Sequence, residues 1–464
     1  MPYPRIEEID YERDTGARFA GLAHLPGSVF LDSGGFGGGR GRYDVFAATP
    51  YLTLTSRGRH TEIRSRLGAR VSEANPFRLL KEALAPVAPA VSALPFAGGA
   101  IGYFAYDLAR WLERLPNVAA ADLDVPDLAI GLYDWAVVAD HATRQSHLVC
   151  AGRDERSLDE WEPIRALVLG GAAPAPRRPF RVLSTVVSNM DHGDYRRAFD
   201  RIKRYIRDGD CYQVNLAQRF SAPAEGDAWN AYRTLQGLNP APFSAYLRLP
   251  DGGAVLSTSP ERFLEARGGR VETRPIKGTR PRSANKVRDR ALALELSASA
   301  KDIAENLMIV DLLRNDLGKT CALGSIRVPA LFEVESFETV HHLVSTVTGR
   351  LAPGRHALDL LEGCFPGGSI TGAPKLRAMQ IIEELEPHRR GVYCGAIGYT
   401  GFDGAMDLNI AIRTLVYQAG WIHAWAGGGI VMDSDPEAEY QETLDKAQAL
   451  LRLLSYVGRS HVGG

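Results

Sequence analysis

The chain has 464 residues, of which 45% are hydrophobic and 23% are charged. This composition is typical of a globular protein with a large core and excludes a chain that is disordered throughout. Because 54 Lys and Arg residues balance 55 Asp and Glu residues, nothing in the charge predicts nucleic acid or an anionic membrane as a partner. At about 100–200 residues per domain, the length allows two to four domains or one large two-lobed enzyme.

The cysteines and the uncharged stretches indicate where such a chain resides. The sequence contains Cys150, Cys211, Cys321, Cys364 and Cys394. Their odd number and the lack of a CxxC pair argue against a disulfide framework and for a reducing compartment. The N-terminus has no apolar signal region, and the uncharged stretches 83–106 and 414–432 hold too many Pro or Gly residues for a spanning helix. We therefore predict a cytoplasmic protein without a membrane segment.

One composition shift divides the chain. The run GGAAPAPRRP at residues 170–179 is rich in Gly, Ala and Pro, as linkers are. It predicts an N-terminal lobe over residues 1–170, a linker over 171–180 and a C-terminal region over 181–460.

The predicted elements follow in chain order. Short β-rich runs come first: SVFLDSG, DVFAATPYLTLTS, DLAIGLYDWAVVAD and SHLVCAG. Apolar residues at helical spacing then predict a helix that begins after the N-cap Asp191 and stops at Gly209. Further strands and hairpins follow in SAYLRL, AVLSTS, RFLEARGGRVETRPI, CGAIGYTGF, AMDLNIAIRTLVY and WIHAWAGGG. Since strands and helices do not alternate strictly, we predict an α+β protein built on large antiparallel sheets.

Carboxylates on two predicted helices favour a site for a hard cation. The last helix is predicted to begin at Pro436, with Asp435 as its N-cap. Glu439, Glu442 and Lys446 fall on one face of this helix. Glu305 lies in an earlier helix beside the apolar run NLMIVDLL, where a carboxylate must be paired or serve as a ligand. Carboxylates that meet from different helices suit Mg²⁺. A solvated, salt-bridged face is the alternative.

The segment RPIKGTRPR places Lys277 at the end of a strand, between Ile276 and Gly278. Burial there would lower the pKa of the lysine and free its amine as a nucleophile. The alternative is an exposed loop lysine among arginines.

Three more segments suggest contacts with an anion. His341 and His342 are adjacent in a strand-like run, so their side chains point to opposite faces. Arg413 is the only cation in the apolar run DLNIAIRTL, which indicates a carboxylate partner, a substrate carboxylate included. The glycine-rich pieces PGGSITGAPK and AGGGIV can present backbone N–H groups to an anion, although either can equally form a tight turn.

Taken together, these motifs resemble the chorismate-utilising enzymes. The matching motifs, in order, are SPERF, RPIKGT, AENLMIVDLLRNDLG, VHHLVSTVTG, FPGGSITGAPK, AIRTL and AGGGIVMDSDPEAEYQETLDKA. The resemblance is strong from about residue 190 to 455 and extends to the N-terminal part through FLDSGG, FAGGAIGYFAYDLAR and GLYDWAVV. It implies a large two-lobed chorismate-binding fold, in which antiparallel β-sheets pack as a sandwich with flanking helices.

Two positions indicate the branch of the family. Lys277 stands where the family's anthranilate synthases carry alanine, and Gln213 stands where water-adding members carry a lysine base. The resemblance therefore implies a transferase that replaces the C4 hydroxyl of chorismate with ammonia, giving 4-amino-4-deoxychorismate for p-aminobenzoate and folate synthesis. The alternatives are anthranilate synthase component I and a non-catalytic homologue that acts as a binding subunit.

The resemblance also implies residue roles. Lys277 would form a covalent adduct with the substrate, and Glu261 would protonate the departing hydroxyl. Glu305, Glu442 and Glu439 would hold Mg²⁺. The substrate carboxylates would be bound by His342, Ser369, Tyr393, Arg413, Gly427, Gly428, Gly429 and Lys446.

Two partners follow from the resemblance. No cysteine lies in the GxCxG elbow of a glutaminase, and Cys394 in GVYCGAIG is mis-spaced, so a separate glutamine amidotransferase subunit would supply the ammonia. An aromatic amino-acid pocket, which holds tryptophan in some relatives, would involve Ser33, Arg42, Tyr43, Asp44, Pro242 and Phe243. Asp32 replaces the glutamate of feedback-sensitive relatives, and simple packing between the lobes is the alternative.

Overall fold

The computed structural model describes residues 4–34, 41–88, 93–170, 178–337 and 340–459. Residues 171–177 of the predicted linker lie outside these ranges, so the proposed division of the chain stays a prediction.

Twenty-five strands and eleven α-helices are described, together with two short 3-10 helices at Tyr106–Trp111 and Gly368–Ile370. The first twelve strands are β1 (Arg5–Ile9), β2 (Val29–Asp32), β3 (Tyr43–Ala47), β4 (Leu52–Arg57), β5 (His60–Ser65), β6 (Gly68–Ser72), β7 (Gly99–Phe104), β8 (Leu128–Tyr133), β9 (Trp135–Asp140), β10 (Gln145–Cys150), β11 (Arg181–Val182) and β12 (Val187–Ser188). The others are β13 (Gln213–Glu225), β14 (Phe243–Arg248), β15 (Ala254–Ser259), β16 (Arg262–Arg267), β17 (Arg270–Thr273), β18 (Ile276–Pro281), β19 (Arg327–Ser336), β20 (Val340–Arg350), β21 (Gly372–Ala373), β22 (Ala396–Gly401), β23 (Met406–Ile410), β24 (Thr414–Gln418) and β25 (Trp421–Ile430). The helices are α1 (Thr15–Ala20), α2 (Pro76–Leu84), α3 (Glu155–Asp159), α4 (Trp161–Leu169), α5 (His192–Arg207), α6 (Ala228–Leu238), α7 (Lys286–Ala298), α8 (Ala300–Gly318), α9 (Ala357–Cys364), α10 (Lys375–Leu385) and α11 (Pro436–Arg459).

The strands form two large sheets. The first has thirteen strands in the order β1-β10-β9-β3-β2-β14-β15-β24-β25-β13-β11, with β12 and β21 also on β13. The second has twelve strands in the order β18-β20-β17-β16-β23-β22-β7-β8-β4-β5-β6, with β19 also on β20. The pairings are antiparallel, as between β13 and β25 or β7 and β8. The predicted α+β fold on antiparallel sheets is confirmed.

Each sheet combines strands from distant parts of the chain. Strand β2 is hydrogen bonded to β3 on one side and to β14 on the other. In the second sheet, β7 pairs with β22. The N-terminal strands therefore share both sheets with the C-terminal ones.

The main core lies between the two sheets, where Leu132 and Phe104 of the second sheet share one cluster with Val138 and Ala245 of the first. A second cluster covers the outer face of the first sheet and includes Phe19 of α1, Trp229 of α6 and Leu450 of α11. These layers form the predicted sandwich with flanking helices.

Helix ends follow the signals in the sequence. Asp191 closes a capping box at the start of α5, and the Asp435 carboxylate accepts hydrogen bonds from the amides of Glu437 and Ala438 at the start of α11. Both predicted N-caps are confirmed. Within the described ranges, no helix is long and apolar enough to cross a membrane.

Candidate active site

A cavity of about 630 Å³ opens where β18, β20, β25, α8 and α11 meet. Most of the residues to which the sequence assigned a role at chorismate line this one cavity: Glu261, Lys277, Glu305, His342, Ser369, Tyr393, Arg413, Gly427, Gly429, Glu439, Glu442 and Lys446. Gly428, which was also assigned a role there, is not among the lining residues.

Lys277 is held inside this cavity by an ion pair. Its Nζ donates hydrogen bonds to Glu305 Oε1 at 2.7 Å and to the Ser369 carbonyl at 3.1 Å. The expectation of a lowered pKa is wrong for this state. Burial alone would lower the pKa, but the carboxylate of Glu305, with Glu261 and Glu442 farther off, raises it above the ordinary value. The pair with Glu305 therefore holds Lys277 as an ammonium.

Glu261 occupies the turn between β15 and β16, and its side chain is buried. Burial raises the pKa of its carboxyl above the ordinary value, while a hydrogen bond from Ser369 and the charge of Lys277 oppose that shift. A carboxyl group in this environment keeps a proton to higher pH than an exposed glutamate and can act as a general acid.

Three carboxylates converge near Gly428 and Gly429. A Cβ on Gly428 would lie 3.0 Å from Glu439 Oε2 and 3.6 Å from Glu442 Oε1, and one on Gly429 would lie 2.9 Å from Glu305 Oε1. The absence of side chains at these two glycines therefore leaves the space beside the carboxylates open.

Lysines hold part of this acidic cluster. Lys446 pairs with Glu442 at 2.6 Å, and Lys301 pairs with Glu439 at 3.3 Å. Glu439 Oε2 is buried and has no hydrogen-bond partner among the described residues. With the lysines in these positions, no three His, Cys, Asp or Glu side chains in the described ranges form a ready set of metal ligands.

A cation, Arg413, and an aromatic ring, Tyr393, also line the cavity. Arg413 has φ of 49° and donates to Asn239 Oδ1 at 3.2 Å. No described carboxylate pairs with it, and burial lowers the pKa of its guanidinium. The ring of Tyr393 stacks on Trp425 with centroids 6.1 Å apart. A half-buried arginine that no described carboxylate pairs with suits the carboxylate of a ligand.

The two adjacent histidines point in opposite directions, as predicted. His342 lines the cavity, and its Nδ1 is 2.9 Å from Thr279 Oγ1. His341 instead contacts Ser336 and Asp289 outside the cavity. Only His342 is placed to meet a ligand.

Lys301 and Asn215 are among the lining residues that were missed from the sequence. Lys301 lies one helical turn before Glu305 on α8, a spacing that could have revealed it. Asn215 follows Gln213 by two residues on β13 and so shares its face, a signal that depends on recognising the strand. Gln213 itself donates to Glu305 Oε1 at 2.8 Å.

A second cavity, of about 310 Å³, contains most of the predicted amino-acid pocket. Its lining includes Ser33, Arg42, Tyr43, Pro242 and Phe243. Asp44 does not line it but lies behind Ser33, whose amide and hydroxyl donate to the Asp44 carboxylate at 2.8 and 2.7 Å.

Asp32 lines the same cavity but is already bound to the protein. Its carboxylate accepts hydrogen bonds from Tyr232, Gln236 and the amide of Gly34. Burial, followed by the charge of Asp44, raises the pKa of Asp32 to about 7. The two cavities are neighbours, since Pro260 and Ile276 line both.

Comparisons with known proteins agree with this arrangement. A family profile described as chorismate binding enzyme matches residues 37–452. The chain is 49% identical over 456 residues to aminodeoxychorismate synthase component 1 of Salmonella typhimurium, covering 97% of this chain and 98% of that one. It is 44% identical over 390 residues to anthranilate synthase component 1 of Thermus thermophilus, covering 83% of this chain and 84% of that one.

The fold agrees as well. The crystal structure of anthranilate synthase component I from Streptococcus pneumoniae matches with a TM-score of 0.80 and 33% identity, covering 89% of this chain and 92% of that one. With the ordered motifs, the shared fold and a match across most of the sequence, the chain belongs to the family of chorismate binding enzymes.

Proposed function

We propose that the chain is the chorismate-aminating component of an aminodeoxychorismate synthase, which converts chorismate and ammonia to 4-amino-4-deoxychorismate and water. The observation that carries the proposal is Lys277, an amine inside the cavity beside the buried acid Glu261. The similarity to the Salmonella typhimurium protein of that name supports it. The reaction would serve p-aminobenzoate and folate synthesis in the cytoplasm.

The cavity offers separate partners for the two carboxylates of chorismate. Arg413 and Tyr393, with amides of the Gly427–Gly429 segment, would bind the enolpyruvyl carboxylate. His342, Ser369 and Lys446 would surround the ring carboxylate. This separation orients the ring between Glu261 and Lys277.

Glu261 and Lys277 would then divide one difficult displacement into two. Lys277 first loses its ammonium proton to solvent, and the neutral amine then attacks C2. The ring double bonds shift towards C4, and the C4–O bond breaks as Glu261 gives its proton to form water. Ammonia next attacks C4, the double bonds shift back, and the bond between Nζ and C2 breaks. Lys277 leaves as a neutral amine, the product keeps its ammonium group, and Glu261 is left as a carboxylate that regains a proton from solvent.

The acidic cluster fits a magnesium ion. Carboxylate oxygens are the ligands that Mg²⁺ prefers, and the buried, unpartnered Glu439 Oε2 is a polar atom that a cation would satisfy. Glu305, Glu439 and Glu442 would hold the ion, which when bound supplies positive charge for the ring carboxylate. The lysines now paired with these carboxylates would have to move away from them.

Two further partners complete the proposal. A separate glutamine amidotransferase, component II of the synthase, would deliver ammonia, because all five cysteines are buried and free and none lies in a glutaminase motif. The second cavity would hold an aromatic amino acid such as tryptophan. Its aromatic lining, which includes Tyr43 and Phe243, and its polar Ser33 and Asp32 suit such a ligand.

Anthranilate synthesis is the second candidate, because relatives with that name reach 44% identity. Incubation with chorismate, Mg²⁺ and ammonium above about pH 8, where more ammonia is unprotonated, followed by mass analysis, separates the two. We expect 4-amino-4-deoxychorismate with its enolpyruvyl group retained. Fluorescent anthranilate and released pyruvate would instead identify the second candidate.

A further inference from the structure

One buried acceptor in the active-site cavity has no partner. Asn215 is 7% exposed and lines the cavity. Its Oδ1 is buried and accepts no hydrogen bond from the described residues. Leaving an amide oxygen in this state costs stability, so natural proteins rarely do so without a reason.

The backbone holds this side chain in a fixed position. The Asn215 amide donates to the Thr371 carbonyl at 2.8 Å, and the Asn215 carbonyl accepts from Arg390 Nη2 at 2.9 Å. Arg390 is itself buried and paired with Glu386 at 2.7 Å. The strand therefore cannot easily turn Asn215 towards another donor.

The strand pattern points the same side chain at the cavity. Val214 and Leu216 pack in a core cluster with α5 and α10 on the opposite face of β13. On the cavity face, a Cβ on Gly427 would lie only 2.8 Å from Asn215 Oδ1. The glycine thus leaves room for the amide.

The lysines that line the cavity are already engaged, and Arg413 donates to Asn239. Lys277 donates to Glu305 and to the Ser369 carbonyl. Lys446 pairs with Glu442 and donates to the Gly427 carbonyl at 3.1 Å. The missing donor is therefore expected from a ligand.

The chemistry of the substrates narrows the choice of a donor for Asn215 Oδ1. At neutral pH the two carboxylates and the ether oxygen of chorismate only accept hydrogen bonds. Its C4 hydroxyl is the one group that donates, and ammonia is the other donor in the reaction. Both occupy the same place, since the hydroxyl leaves C4 and ammonia arrives there.

From this we infer that Asn215 Oδ1 accepts a hydrogen bond from the group at C4, the hydroxyl before it leaves and ammonia as it attacks. This rests on the proposed function. Such a bond would turn a lone pair of the hydroxyl towards its proton donor, and later the lone pair of ammonia towards C4. Asn215 would then be a catalytic residue for both halves of the reaction.

The test is Asn215→Leu, which keeps a similar volume and removes the amide. We expect kcat/KM to fall about ten- to a hundredfold, as for loss of one buried hydrogen bond. The rate of adduct formation from chorismate without ammonia should fall, and the KM for ammonium should rise. The melting temperature should stay the same or increase, because the variant removes an unsatisfied acceptor.

Gln218→Leu is the matched control. Gln218 is a buried amide on the same strand, but both ends are bonded, to Ser188 and Thr443. This variant should lose stability and leave the KM for ammonium unchanged. Normal kinetics of Asn215→Leu, or an activity loss that only follows a lower melting temperature, would overturn the inference. The product made by the wild-type protein tests the proposed function separately.

Discussion

Lys277 and Glu305 are joined by a 2.7 Å ion pair although they lie on different elements, β18 and α8. The pair stabilises the charged form of the lysine, whereas a nucleophile must be neutral. Ligands that draw the Glu305 carboxylate away would release the amine. In the proposed reaction, the pair would keep Lys277 unreactive until substrate and metal bind.

Replacing Lys277 by alanine should remove the covalent route. We expect formation of 4-amino-4-deoxychorismate to fall more than about a hundredfold, as when other enzymes lose a nucleophile, while Arg413 still binds chorismate. Ammonia is small enough to attack C2 directly and give an anthranilate-type product. Intact-protein mass spectrometry after chorismate without ammonia should show an adduct on the wild type and none on Lys277→Ala. An unchanged rate in the variant would leave Lys277 with an electrostatic role only.

Replacing Glu442 by alanine should abolish magnesium-dependent turnover. The Glu442 side chain is 42% exposed, so the fold and its melting temperature should be retained. Loss of a ligand should weaken the apparent magnesium affinity by at least about tenfold. Glu437→Ala, on the exposed side of the same helix, is the control. Activity of the wild type with magnesium removed by a chelator would contradict the assignment.

Ammonia should have to come from outside the chain. We expect turnover with ammonium salts and none with glutamine until an amidotransferase is added. Burial raises the pKa of Cys394 to about 12, which suppresses the thiolate that a glutaminase needs. Steady-state product assays with each nitrogen source make the comparison. Glutamine-dependent product from the purified chain alone would disprove the separate partner.

Asp32 should make stability fall as pH rises. Its pKa is raised from 3.8 to about 7, so the folded state binds its proton more tightly than the unfolded state. Stability is therefore lost progressively as pH rises between these values, by at most about 1.4 kcal/mol per pH unit for one proton. Neighbouring Asp44 has a lowered pKa, so it changes stability only in the acid range below this window.

The measurement is the free energy of unfolding from about pH 4.5 to 5.5, below the range in which His141 releases its proton in the unfolded or the folded state. Asp32→Asn should flatten the dependence of the unfolding free energy on pH. Its altered hydrogen bonds would shift that free energy by the same amount at every pH and so leave the slope unaffected. Asp10→Asn, at an exposed aspartate, should not change it. A variant with the wild-type slope would exclude Asp32 as the titrating group.

Local signals in the sequence predicted much of the fold. The N-cap Asp191 and the apolar spacing behind it located α5, and Asp435 with Pro436 located α11. The alternation of a strand was enough to separate His342 from His341. In each case the cause lies within a few residues, where periodicity and capping act.

Features that depend on distant residues could not be predicted in the same way. The raised pKa of Lys277 comes from Glu305 on another element, and no pattern around Lys277 reveals that partner. Asp44 was placed in the amino-acid pocket, yet it lies behind Ser33 because it also binds Thr15 and His141. The unpartnered oxygen of Asn215 is likewise a property of packing, which only the assembled site shows.

The position of β2 between β3 and β14 has a consequence for biosynthesis. Residues 29–32 of β2 leave the ribosome long before residues 243–248 of β14. The nascent chain therefore carries an unpaired sheet edge through much of translation. Strand β7 remains without its partner β22 for even longer, because more residues separate the two strands. Open edges of this kind are templates for aggregation, and pairings so far apart in sequence form slowly. The newly made chain should therefore depend on chaperones until its last third has emerged.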